Sequence, residues 1–245
     1  MNIYYLYNSG FTVELRGDAL IFDYYRGAPA KPWRIPVGKD PVSYDNIYVF
    51  ASHAHGDHFN RVIFDWLSER DDIRYVLSDD IKPAVKAPIT GKDGKGTVTY
   101  LGSGDSVRVG SLDIRAFGST DAGVSFHVTD EGGTSLFHAG DFNYWHWSDE
   151  STPGEVADAY TMFAGILETI KEGIKKLDIA FFPVDPRMGG DYYRGAILFC
   201  EAMKPDIFIP MHFSSIFSPP DGFFKEIGAY TRVVQAGPGA GRLDI

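Results

Sequence analysis

The chain has 245 residues, 44% of them apolar and 15% aromatic, which is enough for a buried core in one large domain or two small ones. Its 23 Lys and Arg against 33 Asp and Glu give a formal charge of -10, so long-range electrostatics disfavours nucleic acid as a general partner. A lone cysteine, Cys200, excludes an intrachain disulfide and any four-cysteine zinc site, so a metal would have to rest on the seven His and the carboxylates.

The start of the chain, Met1 to Tyr7, has no basic n-region, long apolar stretch or small-residue cleavage site, and reads as something other than a signal peptide. No apolar run approaches the roughly 20 residues that span a bilayer. The expectation is a soluble, cytoplasmic protein without a membrane partner.

In chain order, short β-rich runs come first: 2–7, 11–15, 19–23 and 46–52, then 74–78, 97–101, 106–109, 112–117, 124–129 and 134–138. Turn formers separate several of them, namely Asn8-Ser9-Gly10, Arg16-Gly17-Asp18, Gly94, Gly102-Ser103-Gly104 and Glu131-Gly132-Gly133. Strands joined by such turns should pair antiparallel. A helix is expected over 60–70, where Val62, Ile63, Trp66 and Leu67 recur at helical spacing behind Asn60 as cap. A longer one is expected over 154–177, carrying the stripe Val156, Tyr160, Phe163, Leu167, Ile170, Ile174 and Leu177. A third should run over 192–203, with strands at 178–183, 206–210 and 232–235. With no repeat or linker, 1–245 reads as a single α/β domain of two packed sheets with helices on their outer faces.

The chemistry concentrates in Ser52-His53-Ala54-His55-Gly56-Asp57-His58, directly after the apolar run Ile47 to Ala51, which places three of the seven His within six residues. In extended backbone, residues two apart point the same way, so His53 and His55 can serve one cation. Gly56 then permits a sharp turn that lets Asp57 and His58 face a second. Three imidazoles and a carboxylate crowded at the end of a buried strand would be costly to desolvate without a cation to use them.

The pattern His53-x-His55-x-Asp57-His58 resembles the signature of the metallo-β-lactamase superfamily. The resemblance implies a four-layer αββα sandwich and a hydrolase with one or two divalent metals, zinc foremost, with Mn or Fe as the harder alternatives. It extends to Phe137-His138-Ala139-Gly140-Asp141, similar to the motif whose Asp bridges two metals, and to Phe208-Ile209-Pro210-Met211-His212, similar to the motif whose His binds the second. The implied ligand set is therefore His53, His55, Asp57, His58, Asp141 and His212. Where the family usually places a further His on a Gly-rich turn, this chain has Gly118-Ser119-Thr120-Asp121. Asp121, or Ser119 through a water, could substitute; a mononuclear site on Asp57, His58, Asp141 and His212 is the alternative. The His138 to Asp141 segment looks most similar to the branch that contains ascorbate-phosphate lactonase.

Of the remaining His, His127 and His138 read as structural, the latter also placed to orient a ligand. His146 lies in the aromatic stretch Phe142 to Trp147 that begins at Asp141, and could be a replacement ligand, a proton donor or part of an aromatic cluster. Asp185 and Arg187 should emerge on the same sheet edge as the metals; Arg187 could hold an anionic substrate group or simply pair with Asp185. The run Gly237-Pro238-Gly239-Ala240-Gly241 lacks the Lys-Ser/Thr of a phosphate cradle.

The expected activity is attack by a metal-bound hydroxide on a small ester, lactone or phosphate-bearing metabolite, with Asp57 and His146 as the candidate catalytic side chains. A phosphodiesterase or RNA-processing nuclease is the alternative enzyme, which the acidic balance disfavours. A non-catalytic metal-binding or ligand-sensing module is the alternative outside catalysis. The absence of an export signal disfavours true β-lactamase activity.

Overall fold

Apolar runs broken by residues that accept left-handed backbone give the chain's first strands. β1 (Asn2–Tyr7), β2 (Gly10–Leu15) and β3 (Asp18–Phe22) form an antiparallel meander whose reversals use Asn8 (φ 53°), Arg16 (φ 50°) and Gly17 (φ 94°). The computed structural model describes residues 1–25, 43–85, 89, 97–213, 219, 221–235 and 241–245. The turn expected at Gly94 and most of the run Gly237 to Gly241 lie outside the described residues. The chain divides into two compact units, Met1–Gly102 with Ala236–Ile245, and Ser103–Gln235.

In the first unit β4 (Ile47–Ala51), β5 (Arg74–Ser78) and β6 (Thr97–Leu101) continue the sheet, and the late strand β14 (Gly241–Leu243) closes its other edge, in the order β14-β1-β2-β3-β4-β5-β6. From β3 to β6 every pairing is parallel. Tight turns enforce antiparallel pairing only where they are the connection; β3 and β4 are separated in sequence by residues 23–46. Every residue of β4 is buried, as a strand inside a parallel sheet requires. The register Phe22↔Phe50 brings the residues after β3 and β4 side by side. The helix expected over 60–70 is a 3₁₀ helix, Arg61–Ser68, with the Asn60 side chain accepting from Val62 N and with Ile63, Trp66 and Leu67 buried.

The second unit runs β7 (Ser106–Val109), β8 (Leu112–Gly118), β9 (Val124–Asp130), β10 (Ser135–His138), α1 (Pro153–Gly173), β11 (Ile179–Pro183), α2 (Arg194–Met203), β12 (Ile207–Met211), α3 (Asp221–Ile227) and β13 (Arg232–Val233). Its sheet order is β13-β12-β11-β10-β9-β8-β7, antiparallel from β7 to β10 and parallel from β10 to β13. Thr152 and Glu155 form a reciprocal capping box that starts α1, with Pro153 at the first position. The helix stops at Gly173, short of the expected 177, so Ile174 and Leu177 are buried beyond it and Tyr160 is exposed. A Cβ at Gly173 would meet the Phe117 ring at 2.8 Å, so the glycine permits the close approach of α1 to β8. Cys200 is buried in α2, which pushes its thiol pKa up. Among the described residues no helix is long and apolar enough to cross a membrane.

Candidate metal centre

In parallel sheets, functional loops gather beyond the carboxyl ends of the strands. Here the first unit presents Asp23 after β3 and His53 to His58 after β4. The second presents Asp141 after β10, Asp185 after β11 and His212 after β12.

In the first unit His53 and His58 are fully buried, His55 is exposed and Asp57 is partly exposed. The imidazoles cluster, with ring centroids 4.6 Å apart for His53 and His55 and 4.1 Å for His53 and His58. Buried Asp23, a residue the sequence reading did not single out, organises this group. Its Oδ2 lies 2.7 Å from His58 Nδ1 and accepts from Ser52 Oγ at 2.7 Å, while its Oδ1 accepts from Ser52 N at 2.7 Å. A carboxylate on Nδ1 fixes the imidazole tautomer and ring plane and turns Nε2 towards ligation. His58 Nε2 accordingly sits 3.5 Å from Asp57 Oδ2. His53 Nδ1 lies 3.0 Å from Ser52 Oγ, and Ala54 N donates to Asp80 Oδ2 at 3.0 Å, holding the loop from its other side. Asp23 itself has φ 42°, a left-handed conformation that Asp tolerates.

The second unit repeats the device. Asp185 Oδ2 lies 3.0 Å from His212 Nδ1, and His212 Nε2 is turned to Asp141 Oδ1 at 3.3 Å. His212 and Asp141 are both buried, and His212 has φ 64°. A left-handed backbone at a non-glycine residue costs free energy that the surrounding contacts must offset, and such residues gather at functional sites. Burial would raise the Asp185 carboxyl pKa, but hydrogen bonds from His212 and from the Arg187 side chain and backbone outweigh it and hold it down at about 2. Arg187 grips both Asp185 oxygens, Nε at 3.0 and 2.9 Å and Nη2 at 2.5 Å, so the Asp–Arg pair expected from the sequence is present and Asp185 also serves His212.

Around Asp141 and His212 opens a cavity of about 410 Å³, lined also by Thr120, Asp121, Trp145, Trp147, Asp185, Arg187 and Met188. Asp121 is exposed on this wall, its backbone N donating to Ser119 Oγ at 3.3 Å. Thr120 Oγ1 ties the turn to the loop after β10, bonding the carbonyls of Asp141 and Asn143 at 3.3 and 2.5 Å. His146 does not line this cavity. It is buried with Nδ1 3.2 Å from Tyr144 O and lines a separate one with Ser148, Asp191, Tyr193, Arg194 and Glu226. His127 and His138 hold structural positions: His127 Nε2 is 2.8 Å from Ser135 Oγ, and His138 Nδ1 accepts from Gly140 N at 3.3 Å.

Imidazole nitrogens and carboxylate oxygens are donors that divalent cations take. The residues able to take part in holding one are His53, His55, Asp57 and His58 in the first unit and Asp121, Asp141 and His212 in the second. One imidazole in each unit is braced by a carboxylate at Nδ1.

A sequence profile described as a beta-lactamase superfamily domain matches residues 2–212. No curated protein matches the chain. Among solved structures, the chain is similar to a metallo hydrolase from the archaeon Ignicoccus hospitalis, at 16% identity with 100% of both chains covered and a TM-score of 0.65. It is similar to the metallo-beta-lactamase fold protein YhfI from Bacillus subtilis, at 11% identity, 98% and 99% coverage and a TM-score of 0.63. It is also similar to CmlA, a diiron beta-hydroxylase from Streptomyces venezuelae, at 11% identity and a TM-score of 0.61, covering 100% of this chain and 54% of CmlA. At such identities the likeness shows the fold, which is the α/β sandwich class of metallo-beta-lactamases.

Proposed function

Because this chain belongs to the beta-lactamase superfamily over residues 2–212, we propose that it is a metal-dependent hydrolase that cleaves a small ester, lactone or phosphate-bearing metabolite in the cytoplasm. The proposed ligands for one or two divalent ions, zinc foremost, are His53, His55, Asp57, His58, Asp141 and His212. The observation that carries this reading is the matched pair of braced imidazoles, Asp23 on His58 and Asp185 on His212. Two buried carboxylate–imidazole pairs, each beside a further carboxylate, are costly in a fold unless the ring nitrogens are used.

When bound, the metal supplies a water activated near neutral pH and a Lewis acid for the charge that develops on the substrate oxygen. The protein's own part is positional. Asp23 and Asp185 keep Nδ1 of His58 and His212 engaged, so that Nε2 is the nitrogen offered. Asp57, beside His58, is the side chain placed to receive a proton in turnover. Arg187, steadied by Asp185 at the cavity wall, is the contact for an anionic substrate group. No part in this cavity is assigned to His146. The net charge of -10 supports a small-molecule partner over nucleic acid or a membrane.

A second reading of the cofactor rests on Asp121, exposed beside Asp141 on the cavity wall where the family usually supplies His. A carboxylate there hardens the donor set towards Fe or Mn, and one structural relative is a diiron enzyme. The test is metal analysis of purified wild type and Asp141→Ala with a panel of ester, lactone, thioester and phosphodiester substrates. One or two equivalents of Zn, lost with activity in the variant, are expected; Fe or Mn would favour the second reading. Protein that binds no metal would refute both.

A further inference from the structure

We propose that the substrate of this site carries a flat, conjugated group, an aryl or comparably planar unsaturated moiety, which packs on a wall formed by Trp145 and Trp147. The inference rests on the hydrolase reading for the identity of the site and adds the substrate class. Both indoles line the cavity of about 410 Å³ that holds Asp141 and His212. They lie nearly parallel, 24° apart with centroids 6.3 Å apart.

Trp145 is fixed from two sides. Its indole N–H donates to Asp141 O at 2.7 Å, and its ring meets His212 edge-on, 5.6 Å between centroids at 65°. The wall is thereby registered to both proposed ligands. Trp147 is different: it is 44% exposed, whereas Trp66 is 4% exposed in the first unit's core.

The bland explanation, that Trp147 packs its loop down, fails on the hydrogen bonds. The loop is already anchored through its backbone, Ser148 N to Met188 O at 3.0 Å and Ser151 N to Trp147 O at 2.8 Å, with Trp147 N donating to Ser151 Oγ at 3.1 Å. None of these uses the indole. A large, rigid apolar ring left open on the wall of a small cavity, parallel to a second ring pinned at the reacting centre, is a surface for planar matter. Offset stacking rewards a flat partner over a puckered one of equal carbon count.

The test compares equilibrium binding of benzoate and cyclohexanecarboxylate to metal-loaded protein, read by calorimetry and tryptophan fluorescence. Charge and carbon count are the same, while planarity and π-electron character differ. Benzoate should bind about three- to tenfold tighter, the range expected from aromatic pairing. Trp147→Phe should keep the preference, while Trp147→Ala and Trp147→Leu should bring the two acids level. Equal binding by wild type, or a preference intact in Trp147→Ala, overturns the proposal. A panel in which no substrate is hydrolysed while the benzoate preference persists refutes the hydrolase reading and supports the wall, so the two failures are distinguishable.

Discussion

Asp23→Asn separates positioning from ligation, because it conserves shape and the left-handed backbone at φ 42°. In the native site one carboxylate oxygen accepts from Ser52 N at 2.7 Å, and the other meets both Ser52 Oγ and His58 Nδ1 at 2.7 Å. An amide cannot satisfy this arrangement in either orientation. With its NH2 towards His58, it forces Nδ1 to become the acceptor and moves the imidazole proton to Nε2, the nitrogen needed for a metal. With its NH2 towards Ser52 N, it sets donor against donor. The change removes about one charge-assisted hydrogen bond, worth about 1.5–3 kcal/mol. For a chain of this size that corresponds to a lowering of Tm by about 5 °C. Metal affinity should fall by about 10- to 100-fold. Thermal unfolding of metal-free protein gives the first quantity, and competition with a chromogenic chelator gives the second. A variant that loses stability but binds metal within about threefold of wild type would show that Asp23 does not set the His58 tautomer.

Asp185→Asn perturbs His212 in the same way, and the same competition assay should show metal affinity falling by about tenfold or more; unchanged affinity would refute the pairing of His212 with Asp185. His127 is held down to about 4 by burial, with Arg115 adding repulsion. The unfolded imidazole protonates first, near pH 6.5, so falling pH between about 6.5 and 4 favours unfolding, by up to about 3 kcal/mol. Urea unfolding at pH 7 and pH 4.5 should show a smaller loss in His127→Gln than in wild type; equal losses would refute the assignment. In Gly195→Ala the new Cβ falls 2.1 Å from Asn143 Oδ1 and 3.0 Å from Tyr144 N. Overpacking should lower stability by about 1–3 kcal/mol, read as an earlier urea midpoint.

The proposed ligands were legible because they are local in sequence: His53 to His58 follow a run that could only be a buried strand, and Asp141 and His212 each close another. Their braces were not. Asp23 lies 30 positions before His53 in the sequence, and only the parallel register Phe22↔Phe50 brings it to Ser52. The available signal was an acidic residue ending an apolar strand, Ala19 to Phe22, a position with no solvent for its charge. Asp185 was visible, but pairing with adjacent Arg187 explained it fully until β11 and β12 were known to be parallel neighbours. His146 was the opposite case, its sequence position leaving a functional role and a place in an aromatic cluster both open, and its ring centroid lies 4.2 Å from that of Tyr144. Proximity in sequence to Asp141 suggested proximity in function, yet the loop turns its imidazole back onto Tyr144 O. Helix ends were the least legible element: apolar periodicity continued through Ile174 and Leu177, although the helix yields at Gly173 to close packing against Phe117.

The pairing of β14 with β1, Ile3 opposite Leu243, also has a consequence for biosynthesis. A ribosome delivers all of the second unit before the strand that covers β1, so throughout elongation β1 presents an open hydrogen-bonding edge in a largely apolar hairpin. An unpaired edge of this kind is a template for pairing with another strand. A late truncation that removed residues 241–245 would leave every proposed ligand in the chain and take away the strand that covers the edge of β1.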